Sequence, residues 1–92
     1  MFENFNPRIE CHDGFTISVQ ARESSYCQRN TEGKPVTVEC GFPSTKPKTP
    51  EFLLYAEDNS RYTDTVYPYI PVEVVEAELK AHGGIAVGCL PS

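Results

Sequence analysis

Pro71-Val-Glu-Val-Val-Glu-Ala-Glu-Leu-Lys-Ala-His-Gly-Gly84 is the one stretch of this 92-residue chain whose apolar residues recur at helical spacing between start and stop signals. Pro71 suits a first helical position, because its missing N–H would be unsatisfied there and its fixed φ already matches a helix. Gly83 and Gly84 suit a left-handed end. Val72, Val75 and Leu79 form an apolar row, widened by Val74, Ala77 and Ala81, while Glu73, Glu76 and Lys80 mark the wet side. The charges follow the macrodipole, with Glu73 and Glu76 toward the start and Lys80 and His82 as cations toward the end. The reading predicts a helix over 71–82 with Glu73, Glu76 and Glu78 exposed.

Outside this helix the chain reads as strand or loop. Phe15, Ile17, Val19 and Ala21 alternate with Thr16, Ser18, Gln20 and Arg22, the period-2 pattern of a half-buried strand. Residues paired across a hairpin must share a face. A two-residue Asp13-Gly14 turn would pair Cys11 with Thr16 and put Ile9 on the polar side. A three-residue loop, His12-Asp13-Gly14, pairs Ile9 with Ile17, so that loop is expected, with Gly14 left-handed. Pro35 to Phe42 gives a further strand, with Val36, Val38, Cys40 and Phe42 inward and Thr37 and Glu39 outward. Residues 23–34 read as an exposed connection and residues 43–50, with three prolines, as a linker.

The remaining segments are shorter. Phe52 to Ala56 reads as a short helix or turn, residues 57–65 as a polar loop, Val66 to Ile70 as an extended piece and Ile85 to Leu90 as a last strand. The lead-in places Phe2 and Phe5 against the body. Together these give a single α+β domain over 1–92: a three- to four-stranded, mainly antiparallel sheet with one helix packed on one face. The other face, bearing Thr16, Ser18, Gln20, Arg22, Thr37 and Glu39, is expected to stay open.

The net charge of −5 lies wholly in the second half, where Arg61 and Lys80 face seven acidic side chains, whereas residues 1–50 carry six of each sign. Such a field repels nucleic acid and steers toward basic surfaces. No apolar run approaches the roughly 18 residues of a membrane span, and no signal-peptide pattern opens the chain. The cytosol is therefore the default, and its reducing conditions favour free thiols at Cys11, Cys27, Cys40 and Cys89. Their spacing lacks the paired ligands of a zinc site, so no metal is expected. His12, Asp13, Ser24, Ser25 and Cys27 are not required to converge on a nucleophilic centre, and no glycine-rich phosphate loop precedes a helix.

What remains is a recognition surface. Tyr55, Tyr62, Tyr67 and Tyr69 fall in the stretch that carries Glu57, Asp58 and Asp64. Tyrosine offers a large, fairly rigid contact area with a hydroxyl handle. The expected partner-binding set is Glu57, Asp58, Asp64, Tyr62, Tyr67, Tyr69, Glu73 and Glu76, with Arg22 and Arg29 available to phosphates in a mixed protein and nucleic-acid assembly. Such tyrosines also close small cores, which is the competing reading.

The segments Ile9-Glu-Cys-His-Asp-Gly-Phe-Thr-Ile-Ser-Val-Gln-Ala21, Val38-Glu-Cys-Gly-Phe-Pro-Ser44 and Thr65 to Gly84 resemble small accessory proteins of tailed bacteriophages. Length and acidity are also similar to phage-encoded anti-CRISPR proteins, including those directed at type I surveillance complexes. The resemblance implies a non-catalytic inhibitor without cofactor, acting in the cytoplasm of an infected bacterial host. It would bind Cas subunits, with minor contact to guide RNA and none to membrane, and so block target DNA. The alternatives are a sponge for a nucleotide signal of another defence system, or an inhibitor of a host nucleic-acid enzyme.

Overall fold

A computed structural model, which describes residues 5–92, shows six strands and two helices. β1 (Ile9–Cys11) turns into β2 (Thr16–Gln20) through the His12-Asp13-Gly14 loop. Ile9 stands opposite Ile17, the Cys11 N–H donates to the Phe15 carbonyl at 2.8 Å, and Gly14 takes φ +93°, as the facing argument requires. Asp13 Oδ1 accepts the Phe15 N–H at 2.9 Å and closes the turn from its own side chain. Ile9, Cys11, Phe15, Ile17 and Val19 all reach the buried face.

The sheet is larger than the three to four strands expected. β3 (Gln28–Arg29) arises inside the presumed polar connection, and β5 (Val66–Pro71) is a true ladder partner. Cys40 and Gly41 of β4 (Pro35–Gly41) pair with both β2 and β5, so these two strands occupy opposite edges of β4. Thr37 pairs with both β3 and β5, which puts β3 on the β2 side. β6 (Ile85–Val87) adds beyond β1, giving the order β5-β4-β2-β1-β6, all antiparallel. Two residues could not announce β3 by alternation. In β5 the prolines argue against a central strand, and the chain resolves this by using it at an edge with a bulge. Between the pairs Val38–Ile70 and Cys40–Tyr67, Pro68 and Tyr69 together oppose Glu39.

Strict alternation fails at both ends of β4. Val38 and Cys40 are buried, but Phe42 is 48% exposed because its backbone turns left-handed at φ +51° just past the strand. Val36 is exposed as well, and Thr37, expected outward, is buried with Oγ1 accepting the Gln28 N–H at 2.9 Å. Phe5 is 60% exposed, and Phe2 lies outside the described residues.

Helix α1 (Pro50–Leu53) follows the proline linker, with Pro50 at its start and Phe52 in the core. Helix α2 (Val72–Ala81) begins one residue later than expected: Pro71 is its N-cap at φ −59° and ψ 141°, and also the last residue of β5. Its end is a Schellman motif, in which the Gly84 N–H donates to the Leu79 carbonyl at 2.9 Å and the Gly83 N–H to the Lys80 carbonyl at 3.0 Å. Val74, Val75 and Leu79 enter the core, whereas Ala77 and Ala81 stay exposed. Ten helical residues rise about 15 Å, and with the turn that follows, residues 82–84, they carry the chain from edge strand β5 to edge strand β6. Beneath it the Phe52 and Tyr67 rings meet with centroids 4.9 Å apart. None of the described helices is long and apolar enough to cross a membrane.

Candidate functional site

The most concentrated charge chemistry lies under the end of α2. Glu78, expected on the wet side, is 0% exposed, and His82, expected as an exposed helix-end cation, is 2% exposed. Glu78 occupies the buried stripe one turn before His82, so the apolar row of α2 ends in a polar pair. His82 Nε2 lies 2.7 Å from Glu78 Oε2, and Nδ1 lies 2.7 Å from Asp13 Oδ2. Its ring stacks on Phe15 with centroids 3.8 Å apart. Lys48 Nζ stands 3.6 Å from Asp13 Oδ2 and donates to the Ala81 carbonyl at 3.2 Å.

Glu78 is fully satisfied. Oε1 accepts the Thr49 N–H at 2.9 Å and the Thr49 hydroxyl at 2.7 Å, and Oε2 accepts the Lys48 N–H at 2.8 Å. Burial pushes its carboxyl up, but the hydrogen bonds from Lys48, Thr49 and His82 outweigh this and hold it below the usual range. The Phe15 N–H does most to lower Asp13; desolvation opposes it, and His82 and Lys48 add smaller lowering effects. Two ionised carboxylates can only accept, so a ring N–H of His82 donates to the carboxylate it faces. The hydroxyl of Thr49, the N-cap of α1, is used on Glu78 and makes no capping bond.

This arrangement is a lock between three segments: the β1–β2 loop, the linker before α1, and the end of α2. A hollow of about 310 Å³ beside it is lined by Asp13, Phe15, Ser44, Thr45 and His82. A general base needs a free lone pair within reach of a substrate proton. His82 has none, since both nitrogens are already engaged.

The structure separates the expected partner-binding residues. Tyr67 is wholly buried, and its hydroxyl donates to the Tyr62 carbonyl at 2.5 Å; it is a core residue, because the bulge after it keeps its own side of β5 inward. Burial raises its phenol far above the usual value. Asp58 is tied to Ser60, whose hydroxyl donates at 2.6 Å and whose hydrogen bonds lower the Asp58 carboxyl. Asp64 pairs with Arg61 at 2.6 Å. Tyr62 is partly buried, with Lys46 Nζ 5.1 Å from its ring centroid. Glu57, Glu73 and Glu76 are exposed, and their carboxylates have no hydrogen-bond or ion-pair partner among the described residues. Tyr69 is 48% exposed and left-handed at φ +50°; its N–H donates to the Tyr26 carbonyl at 2.9 Å and the two rings lie 6.0 Å apart. Arg29 stays exposed, but its guanidinium is engaged, donating to the carbonyls of Ala21 at 2.7 Å and Gly33 at 2.5 Å.

The outer sheet face is less open than its polar sequence suggests. Gln20 is buried because it clamps Asn6, accepting its N–H and donating to its carbonyl, each at 2.8 Å. Beside this clamp runs a groove of about 310 Å³, whose lining includes Phe5, Arg8, Ser18, Arg22, Glu39 and Phe42. Phe42 lies at the surface although alternation assigns it inward; the Pro43 that follows it, with no N–H to donate to a ladder, is the available signal that the strand stops there. Among the described residues no group of three or more His, Cys, Asp and Glu is placed to hold a metal ion. Comparison with protein-family models, curated proteins and solved structures finds no match.

Proposed function

We propose that this protein is a non-catalytic binding protein that inhibits a nucleic-acid-handling complex of a bacterial host, in the manner of the phage-encoded anti-CRISPR proteins it resembles. Its partner on this reading is a basic surface of Cas subunits, whose occupation blocks target DNA. The observation that supports it best is Tyr69. The ring stands half-exposed in a backbone conformation that costs a non-glycine residue about 1–2 kcal/mol, and it precedes a helix whose exposed Glu73 and Glu76 have no ion-pair partner among the described residues. An aromatic anchor held outward beside carboxylates suits a groove rich in lysine and arginine, where it contributes contact area and the acids steer the encounter.

Titration of purified type I surveillance complex with the protein, read by target-DNA gel shift, tests the proposal. Stoichiometric loss of DNA binding, weakened by salt and by Tyr69→Ala or combined Glu57→Gln, Glu73→Gln and Glu76→Gln, is the expected result. Unchanged DNA binding at excess protein, across type I complexes, rejects the target; inhibition that survives all four substitutions rejects the face.

A further inference from the structure

We propose that the groove beside Arg22 on the outer sheet face binds a nucleoside phosphate, the phosphate meeting the Arg22 guanidinium and the base lying against Phe42. The proposal uses residues that the acidic-face reading does not, so either can fail alone.

Arg22 is a partly buried cation with no anion among the described residues. Its guanidinium has no hydrogen-bond acceptor or ion-pair partner among the described residues, and its Nε is the one buried side-chain nitrogen or oxygen there with no partner. Folding normally satisfies such groups, because a buried donor left unmade forfeits its hydration. Its Cζ sits 4.9 Å from the centroid of the Phe5 ring, a cation–π contact that places the head group without using its N–H donors. The planar fork of arginine matches two oxygens of a phosphate.

Phe42 supplies the second half. Its ring is half-exposed at a left-handed position where an L residue is disfavoured, and its carbonyl accepts a hydrogen bond from Arg8, whose Nε also donates to Thr16 Oγ1 at 2.9 Å. Arg8 is thus spent on fixing the backbone that presents the ring, and Arg22 is left for a ligand. Ser18 and Glu39 line the same groove and bring a hydroxyl and a carboxylate, a donor and an acceptor suited to the polar edge of a base. The volume, about 310 Å³, is at the small end of ligand pockets, which run from about 300 to 1,000 Å³. An inorganic anion would use Arg22 alone and an uncharged ring Phe42 alone; a nucleoside phosphate uses both. Exposed aromatics with arginines are also how proteins hold bases without reading their sequence.

The test follows backbone amide signals of the full chain by NMR during titration with AMP, CMP, GMP and UMP, with the matching nucleosides, with inorganic phosphate and with a short oligothymidylate. The nucleotides should produce saturable shifts at Ser18, Arg22, Glu39 and Phe42, while nucleosides and phosphate each bind at least about tenfold more weakly. Arg22→Gln should bring nucleotide affinity down to the nucleoside level, with Arg22→Lys, which keeps the charge and loses the fork, in between. Phe42→Gly should bring it down to the phosphate level. Spectra unchanged outside the groove certify the variants. An oligothymidylate that binds more tightly than the monophosphates identifies a single strand as the source, and the reverse a free nucleotide. No saturable shift in the groove, phosphate binding as tightly as the nucleotides, or undiminished binding by Arg22→Gln overturns the assignment.

Discussion

Glu78 and His82 face each other at 2.7 Å one helical turn apart, inside the core, and the histidine reaches on to Asp13 on the far side of its ring. A carboxylate in that position stays ionised because every lone pair it presents inward has a donor. The pair is therefore worth more for what its loss would leave behind than for its own attraction.

His82→Leu leaves the Glu78 carboxylate buried without its imidazole partner and should cost about 3–5 kcal/mol, a large part of the roughly 5–10 kcal/mol that holds a domain of this size. Combining it with Glu78→Leu should recover only part of that loss, since the N–H groups of Lys48 and Thr49 then lack their acceptor. Urea unfolding of the three proteins measures both steps. Equal stability of His82→Leu and the parent would show that the lock carries no weight.

Acid should undo the same lock. The carboxyls of Glu78 and Asp13 are both lowered in the folded chain, so the unfolded state binds protons first. Their contribution is complete above the unfolded carboxylate values of about 4 and fades as pH falls through the lower folded values. The urea midpoint should thus drop between about pH 5 and pH 2, and drop less in Glu78→Gln. A midpoint equally steep in the variant would assign the acid sensitivity elsewhere.

The two left-handed aromatics make a separate prediction. Replacing Phe42 or Tyr69 by glycine relieves the backbone cost, offset by a more flexible unfolded chain, so stability should hold or rise by up to about 1 kcal/mol. Alanine, which keeps the strain, should not show that gain. Thermal melts distinguish them; a loss above about 2 kcal/mol on going to glycine would mean that the rings serve packing.

Thiol chemistry should sort the cysteines by depth. Burial raises the thiols of Cys11 and Cys40, with Cys40 the more strongly shifted, whereas Cys89 is exposed. Only the thiolate is nucleophilic. An aromatic disulfide reagent should therefore modify Cys89 promptly in the folded protein and Cys40 only after unfolding, as peptide mass spectrometry would show.

Much of the scaffold was legible in the residues because it rests on local rules. Gly14 and the facing of Ile9 with Ile17 dictated the hairpin loop; Gly83 and Gly84 dictated the end of α2. What escaped depends on neighbours distant in sequence. Glu78 looked like a wet-side acid because its donors come from Lys48 and Thr49, some thirty positions away. Tyr67 looked like a surface ring because the bulge that turns its side of β5 inward is set by the pairing with β4. Of the expected partner surface, Glu57, Tyr69, Glu73 and Glu76 remain exposed, while Tyr67 is in the core and Asp58, Asp64 and Arg29 are engaged internally. Arg22 was singled out by its charge, but that its Nε meets no acceptor among the described residues is visible only in three dimensions.

Among the described strands β4 alone has three partners, and this shapes the route by which the chain reaches its structure. The β1–β2 hairpin closes over three residues and can form early, but β5 meets β4 only after the chain 42–65 has looped back. Closing that loop is paid for in entropy before any ladder bond returns the cost. The rate-limiting barrier should accordingly lie at the β4–β5 pairing, so that truncating Val38 or Ile70 slows refolding while truncating Val87, at the far edge, leaves the rate alone.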